Sequence, residues 1–289
     1  YYFNENNDQI PVGELAPATG YRVACIGAGP ASMACADELA KLGHKVVIYD
    51  RYPKPGGTLM YGIPDFKLEK RHVFRRFEYL AKMGVEFVGN TMVGVDFQLS
   101  DLLDKMNFDA VFIGIGAVKG SSPRAEGEDL KGVMQATEFL SRTNLPKDYL
   151  PPEWQEPLEP PKHDTCVIFG GGDTSIDCVR SALRFGYKNA YVLYRRTEKE
   201  MPANKREVSS AVEEGAEFKY LHAPKRFIAD ENGKVISVEC FRMELGEPGA
   251  DGRRRPIKVE GSEFQIPCDR VILAIGYIND PDIPKQEED

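Results

Sequence analysis

Short apolar runs alternate with longer segments in which apolar and polar positions mix at helical spacing, and one block of this alternation occurs twice. Each copy has an apolar run, a glycine-rich turn, a helix-like stretch and a second apolar run, starting at residue 21 in the first copy and at residue 165 in the second. Apolar runs of strand length that alternate with helical patterns are typical of βαβ units and parallel sheets. The pattern therefore predicts an α/β fold in which one βαβ plan is used twice.

Two later segments extend the duplication. The run 84–87 is echoed at 215–218, and the run 109–116 is echoed at 269–276. This order predicts two Rossmann-like dinucleotide-binding domains, each of three layers, with the second inserted into the first. The stretch 225–265 contains two polar turns and predicts a β-meander that packs on the second sheet.

The glycine-rich turn of the first copy has the composition of a phosphate-binding loop. Gly27 permits a tight turn, and Gly29 lets a pyrophosphate approach the backbone. Pro30 and Ala31 open the following helix, whose first N–H groups and positive dipole end favour an anion. Asp50 ends the second apolar run, where an acid accepts hydrogen bonds from a ribose. An acid at this position favours an adenosine without a 2′-phosphate, as in FAD or NAD.

The second copy differs where the nucleotide is selected. Its turn is formed by Gly171, Gly172, Asp173 and Thr174. Arg195 and Arg196 stand where the first copy has its acid, and guanidinium groups hold a 2′-phosphate through charge-assisted hydrogen bonds. This favours NADPH over NADH, and the alternative is that both arginines pair with Glu198 or Glu200. We expect Asp173 to serve as a helix N-cap or to make a structural hydrogen bond.

Two motifs carry a resemblance to a known family. Residues 55–68 read PGGTLMYGIPDFKL, and residues 194–203 read YRRTEKEMPA. With these motifs the chain resembles the small subunit of glutamate synthase and its relatives, including the N-terminal flavin region of dihydropyrimidine dehydrogenase. The resemblance covers about residues 21–277 and implies FAD in the first site and NADPH in the second.

The resemblance also implies which residues surround the cofactors. Those implied around FAD are Gly27, Gly29, Asp50, Gly57, Leu59, Ile63 and Pro64. Thr58, beside Gly57, joins them as a candidate. Small residues at the two crossovers between the domains would let backbone pass close to a cofactor, and these are Gly116, Ala274 and Gly276. We expect 1–20 to form an N-terminal lead, 21–120 with 277–289 an FAD-binding domain incomplete at its C-terminus, 121–162 a proline-rich linker, and 163–276 an NADPH-binding domain.

The implied activity is hydride transfer between NADPH and FAD, with onward electron transfer to iron–sulfur centres of a partner or missing domain. Family members carry a cysteine-rich N-terminal region and a C-terminal segment that grips FAD, and this sequence shows neither, so we expect a fragment. The partner would be a glutamate synthase large subunit or a ferredoxin-like protein. Two alternatives remain open: a non-catalytic docking subunit of an electron-transfer complex, and a disulfide-reductase type of flavoprotein, which needs a redox cysteine pair.

Composition excludes several other classes. A formal net charge of −8 argues against a nucleic-acid surface, and no apolar run approaches the length of a membrane span. We therefore expect a cytoplasmic protein. The cysteines are scattered without the spacing of a metal site, so the redox chemistry is assigned to bound cofactors. Hydride transfer between cofactors depends on positioning, and we assign no catalytic acid or base to the four histidines His44, His72, His163 and His222.

Overall fold

The computed structural model describes residues 11–117, 119–162, 164–249 and 252–279. Its strands are β1 Arg22–Ile26, β2 Lys45–Tyr49, β3 Glu86–Val88, β4 Ala110–Ile113, β5 Lys119–Gly120, β6 Val133–Gln135, β7 Thr165–Phe169, β8 Asn189–Tyr194, β9 Glu217–Tyr220, β10 His222–Ala229, β11 Val235–Pro248, β12 Arg254–Lys258, β13 Phe264–Pro267, β14 Arg270–Leu273 and β15 Tyr277–Ile278. Its helices are α1 Pro30–Lys41, α2 Thr58–Tyr61, α3 Lys70–Lys82, α4 Leu99–Asp104, α5 Ala136–Asn144, α6 Asp173–Phe185 and α7 Lys205–Glu213. Within the described ranges, no helix is both long and apolar enough to cross a membrane.

Two parallel sheets repeat one strand plan. The first sheet has the order β3-β2-β1-β4, and the second has the order β6-β14-β7-β8-β9. Every pairing in both sheets is parallel. Strands β9-β8-β7-β14 follow the same order as β3-β2-β1-β4, so the repeat in the sequence corresponds to a repeat in the structure. The predicted α/β fold class is confirmed.

Alternating side chains of the central strands build the core on both faces of the first sheet. On β2, Ile48 packs with Leu80 of α3 and with the apolar face of α1. Its neighbour Val47 points to the opposite face and packs with Leu102 of α4. Helices therefore cover both faces of this sheet, which leaves the carboxyl ends of its strands for a ligand.

The second sheet is covered by helices on one face and by an antiparallel sheet on the other. Ile168 of β7 packs with Ile176 of α6 and with residues of α5 and α7. Val167 packs with Val238 of β11 and with the antiparallel strands beside it. All five residues of β7 are buried, as expected for the central strand of a parallel sheet.

The segment 121–162 is not only a linker. Its middle part forms β6, which pairs with β14 as the edge strand of the second sheet, and α5, which packs on α6. Met134, Phe139 and Leu140 are at most 7% exposed and supply the burial that drives this part to fold. The helix ends at Asn144 because Pro146 disfavours helical backbone in the residue before it. The division of the chain into domains stays a prediction, and its parts 1–10, His163 and 280–289 lie outside the described residues.

The antiparallel sheet departs from the predicted meander. Strand β10 pairs with the first part of β11. Strand β12 pairs with the last part of β11, whereas β13 returns to pair with the first part, on the edge opposite β10. Met243 faces Lys258 of β12, whereas Ser237 faces Pro267 of β13. The 14 residues of β11 are long enough to accommodate two partner strands end to end.

Two short strands connect the halves of the molecule. Tyr277 of β15 pairs with Gly120 of β5 in an antiparallel ladder, directly after the last strand of each parallel sheet. The Thr137 hydroxyl of α5 donates a hydrogen bond to the Tyr277 hydroxyl at 2.8 Å. This connection fixes the carboxyl edges of the two sheets beside one cavity.

Candidate nucleotide-binding site

One cavity of about 900 Å³ extends along the carboxyl ends of β1, β2 and β4 and reaches the beginning of α6. In open α/β sheets this edge is where ligands bind. The sequence-predicted residues that line it are Gly27, Gly29, Pro30, Ala31, Asp50, Gly57, Thr58, Ile63, Gly116, Asp173 and Thr174. Those outside its lining are Leu59, Pro64, Gly171, Gly172, Arg195, Arg196, Ala274 and Gly276.

The first glycine turn requires glycine for two different reasons. Gly27 has φ +87°, and a Cβ there would lie 2.7 Å from the carbonyl oxygen of Gly114, so it allows β1 and β4 to approach. Gly29 is the N-cap of α1, and a Cβ there would meet no atom closer than 4.0 Å. No side chain caps this helix, and its first turn contains no acid. The N–H groups at the start of α1 therefore face an open cradle that suits an anion.

Asp50 is fixed at the end of β2 by backbone donors of two different loops. Its Oδ2 accepts a hydrogen bond from the Ala28 N–H at 2.6 Å, and its Oδ1 accepts one from the Tyr52 N–H at 2.8 Å. Burial raises the pKa of this carboxyl, and the two N–H donors oppose that shift. Each oxygen keeps acceptor capacity for a further donor, such as a ribose hydroxyl.

The loop 55–68 closes against the first glycine turn. Gly57 has φ +52°, and a Cβ there would lie 2.8 Å from the Cα of Gly29. The Gly56 N–H donates to the Ala28 carbonyl at 2.9 Å, which joins the two loops by backbone. Leu59 contributes through its carbonyl, which accepts a hydrogen bond from the Lys70 ammonium at 2.9 Å.

Lys70 is a buried ammonium that holds this loop. Only 8% of the residue is exposed, and its Nζ donates to the carbonyls of Leu59 and Ile63. Burial lowers the pKa of Lys70 to about 8, while Asp65 and Asp177 oppose that shift. The residue was not among the sequence-predicted site residues, although it stands two residues after the family motif.

The second turn repeats the tight packing of the first. Gly170 lies directly against the Ala274 carbonyl, as Gly27 lies against Gly114. A Cβ on Gly171 would lie 2.5 Å from the Tyr194 ring, so this glycine serves packing, whereas a Cβ on Gly172 would meet no atom within 4 Å. Ala274 therefore packs against the second turn and does not line the cavity.

Asp173 is the first residue of α6 and does not cap it. The N-cap position belongs to Gly172. The Asp173 carboxylate instead accepts a hydrogen bond from the Asn204 N–H at 2.8 Å, which ties the start of α6 to the start of α7. Of the two roles expected for this residue, the structure assigns the structural hydrogen bond.

Arg195 and Arg196 follow β8, outside the cavity at the rim of the second turn. Arg196 donates from Nε to the Arg254 carbonyl at 2.8 Å, which leaves its terminal amino groups available. Arg195 is exposed. Within the described chain, neither arginine forms an ion pair with Glu198 or Glu200, and Glu200 is bound instead by Thr197. Among the described residues, the Arg195 guanidinium and the terminal amino groups of Arg196 therefore have no carboxylate partner and could contact an anion.

The family model for pyridine nucleotide-disulphide oxidoreductases matches residues 21–288. The chain belongs to this family. It is also 46% identical to the glutamate synthase [NADPH] small chain of Escherichia coli over 90% of this chain and 54% of that protein. It is 43% identical to the NADPH-Fe(3+) oxidoreductase subunit beta of Geobacter sulfurreducens over 96% of this chain and 40% of that protein. The chain therefore spans about half the length of these relatives, and the predicted resemblance to the glutamate synthase small subunit is confirmed.

A solved structure of FprA from Mycobacterium tuberculosis in complex with NADPH matches with a TM-score of 0.72 and 19% identity, over 89% of this chain and 71% of that one. A thioredoxin reductase from Lactococcus lactis matches with a TM-score of 0.64 and 17% identity, over 92% of this chain and 81% of that one. At these identities the likeness shows the shared fold. The oxidoreductase fold predicted from the duplicated turns is confirmed.

The cysteines of this pyridine nucleotide-disulphide oxidoreductase chain are all free, and all but the half-buried Cys35 are buried. Burial raises the pKa of Cys25 to about 12 and raises that of Cys166 further still. Such thiols are not nucleophiles at neutral pH. Among the described residues, no group of histidine, cysteine and carboxylate side chains could hold a metal ion.

Sequence reasoning left several parts of the cavity wall unassigned, and two of them stand out. One is the segment 91–95, which follows β3 and has no motif. The other joins Lys67 of the loop to Asp177 of α6, with Thr137 and Tyr277 nearby. One indication in the sequence that Lys67 belongs to the site is its position within the motif 55–68. The contact itself joins residues 110 positions apart, which no local pattern reveals.

Proposed function

We propose that this chain is the NADPH- and FAD-binding module of an oxidoreductase of the glutamate synthase small-chain type. The observation that carries the proposal is that residues of the first glycine turn and of the start of α6 line the same cavity. Two nucleotides bound at these turns would have their reactive ends in one space. The family membership and the NADPH named in the relatives support the same assignment.

The residues around the first turn fit FAD. Gly29 and Gly116 leave open space where a side chain would stand, and the start of α1 offers N–H groups to a pyrophosphate. Asp50 would orient a ribose, and the loop held by Lys70 would lie along the isoalloxazine ring. When bound, the flavin supplies the acceptor for the hydride of NADPH.

The residues around the second turn fit NADPH. Gly172 leaves open space at the start of α6, where the pyrophosphate would bind. Arg195 and Arg196 would grip the 2′-phosphate from the end of β8, because a guanidinium forms strong charge-assisted hydrogen bonds with phosphate oxygens. The Asp173 carboxylate accepts a hydrogen bond from the Asn204 N–H, and this donor would offset part of its repulsion of the pyrophosphate.

The proposal extends to the route of the electrons. We expect them to pass from this module to an iron–sulfur centre of a partner or of another domain, as in the electron-transfer complexes that the relatives' names suggest. We also propose that the module is cytoplasmic. Its six free cysteines support this location because free thiols persist in reducing compartments.

Calorimetric titration of the full-length protein tests the two-site assignment. FAD and 2′,5′-ADP, a fragment of NADP that carries the 2′-phosphate, are expected to bind with one site each and without competition. Displacement of one ligand by the other would contradict the proposal, since it would mean that both use a single site.

A further inference from the structure

The two ends of the loop 55–68 contact different halves of the molecule. At its beginning, Gly57 packs on Gly29 of the first turn. Near its end, the Lys67 ammonium lies 2.8 Å from Asp177 Oδ1 of α6 and 3.2 Å from Glu207 Oε2 of α7. The loop therefore bridges the first sheet and the helices of the second.

Phe66 adds an aromatic contact beside this ion pair. The guanidinium carbons of Arg180 and Arg184 lie 4.7 Å and 4.1 Å from the centre of its ring. Arg180 is itself fixed by Glu207 at 2.8 Å and by Glu214 at 2.8 Å. The ring thus packs against an arginine that two carboxylates hold in place. We call Phe66 and Lys67, with these contacts, the clamp.

The clamp is partly shielded from water, so the loss of one partner would leave the other charge poorly solvated. The side chain of Asp177 is 9% exposed and that of Lys67 is 22% exposed. A carboxylate buried to this degree is strongly disfavoured when its cation is removed. The two carboxylates beside the pair are both negative: Glu207 also faces Lys67 and attracts it, while Asp173 lies near Asp177 and repels it.

We propose that Lys67 is a positioning residue that, through Asp177, holds the two glycine turns at the separation needed for hydride transfer. This inference rests on the proposed function. Lys67 and Asp177 line the same cavity as Gly29 of the first turn and Asp173 at the start of α6. Displacing a reactant by about 1 Å can lower a rate about a hundredfold, so loosening the bridge lowers the rate of transfer while each nucleotide keeps its own binding contacts.

The test compares Lys67→Met, Asp177→Asn, the double variant and Lys67→Arg in the full-length protein. Lys45→Met is the matched control, because Lys45 forms an ion pair with Glu86 in which both side chains are more than half exposed. The first measurement is hydrogen exchange of the backbone amides of 65–68 in cofactor-free protein. We expect exchange about tenfold faster in Lys67→Met and unchanged in Lys45→Met.

The second measurement is the rate constant of flavin reduction by NADPH in stopped flow. We expect about a tenfold loss in Lys67→Met, dissociation constants for FAD and 2′,5′-ADP within about twofold of wild type, and recovery of most of the rate in Lys67→Arg. Because the two residues act through one contact, the double variant is expected to lose little more than either single variant.

Wild-type exchange and a wild-type reduction rate in Lys67→Met and Asp177→Asn would overturn the positioning role alone. Fully additive losses in the double variant would overturn it too, since they would mean that Lys67 acts independently of Asp177. A wild-type protein whose bound flavin NADPH does not reduce would instead overturn the proposed function, and the positioning role with it.

Discussion

Gly57 lies directly against Gly29, so that a Cβ on Gly57 would come within 2.8 Å of the Gly29 Cα. The two glycines belong to different loops, and their contact forms the wall of the cavity beside the start of α1. Both must lack a side chain for different reasons: Gly57 to let the loops meet, and Gly29 to leave room for a ligand.

We expect Gly57→Ala to weaken FAD binding about tenfold or more, because the new methyl group pushes the loop away from the first turn. The substitution also has the cost of a positive φ of +52°. Gly84→Ala is the matched control, since Gly84 has φ +87° but no atom within 4 Å of its added Cβ. Equal FAD affinity in both variants, measured by fluorescence titration, would contradict the role given to the Gly57 contact.

Arg195→Ala and Arg196→Ala are each expected to raise the dissociation constant of NADPH about tenfold or more, while that of NADH changes less than about threefold. Hydrogen bonds to charged groups are worth about 1.5–3 kcal/mol, and NADH has no 2′-phosphate to lose them. Lys199→Ala, at an exposed position nearby, serves as control. Equal losses for NADPH and NADH would remove the arginines from the 2′-phosphate site.

Lys70 gives a prediction in alkaline solution. Its pKa is lowered from 10.5 to about 8 in the folded protein, so the unfolded chain binds more protons between these two values. The stability of wild type relative to Lys70→Met must then rise with pH from 8 towards 10.5, by about 2 kcal/mol up to pH 9.5. Urea unfolding at several pH values measures this difference. A difference that stays constant across this window would mean that the Lys70 ammonium is not buried.

Glu214 gives a prediction in acid, where stability again rises with pH. Hydrogen bonds from Arg184 and Arg180 lower the pKa of its carboxyl from 4.5 to about 2. The stability it contributes is therefore complete above pH 4.5 and is lost as the pH falls towards 2. We expect Glu214→Gln to be about 2 kcal/mol less stable than wild type near neutral pH, with the gap closing in acid. A gap that does not depend on pH would exclude the ion pairs as its source.

The parallel sheets could be predicted because their central strands correspond to repeated apolar runs next to glycine turns. The turn residues Gly27 and Gly170 have positive φ and close backbone neighbours, and only glycine satisfies both conditions. Strand β6 was missed because it is three residues long and its burial depends on pairing with β14, far along the chain. A local pattern cannot report such a pairing.

The site was predictable where its chemistry is local. The two glycine-rich turns and Asp50 follow fixed spacings after apolar strands, and the structure brings most of the residues predicted there to one cavity. The clamp was not predictable, because Lys67 and Asp177 meet only when the two halves of the fold pack together. The hydrogen bond from Arg196 to the Arg254 carbonyl likewise joins residues 58 positions apart.

The visible absorption spectrum of the full-length protein with bound FAD, before and after anaerobic addition of NADPH, tests the central claim most directly. A cavity shared by both turns predicts that NADPH bleaches the flavin bands, and that NADH does so only at much higher concentration. Flavin bands that persist although NADPH is bound would contradict the claim that the two nucleotides meet in this cavity.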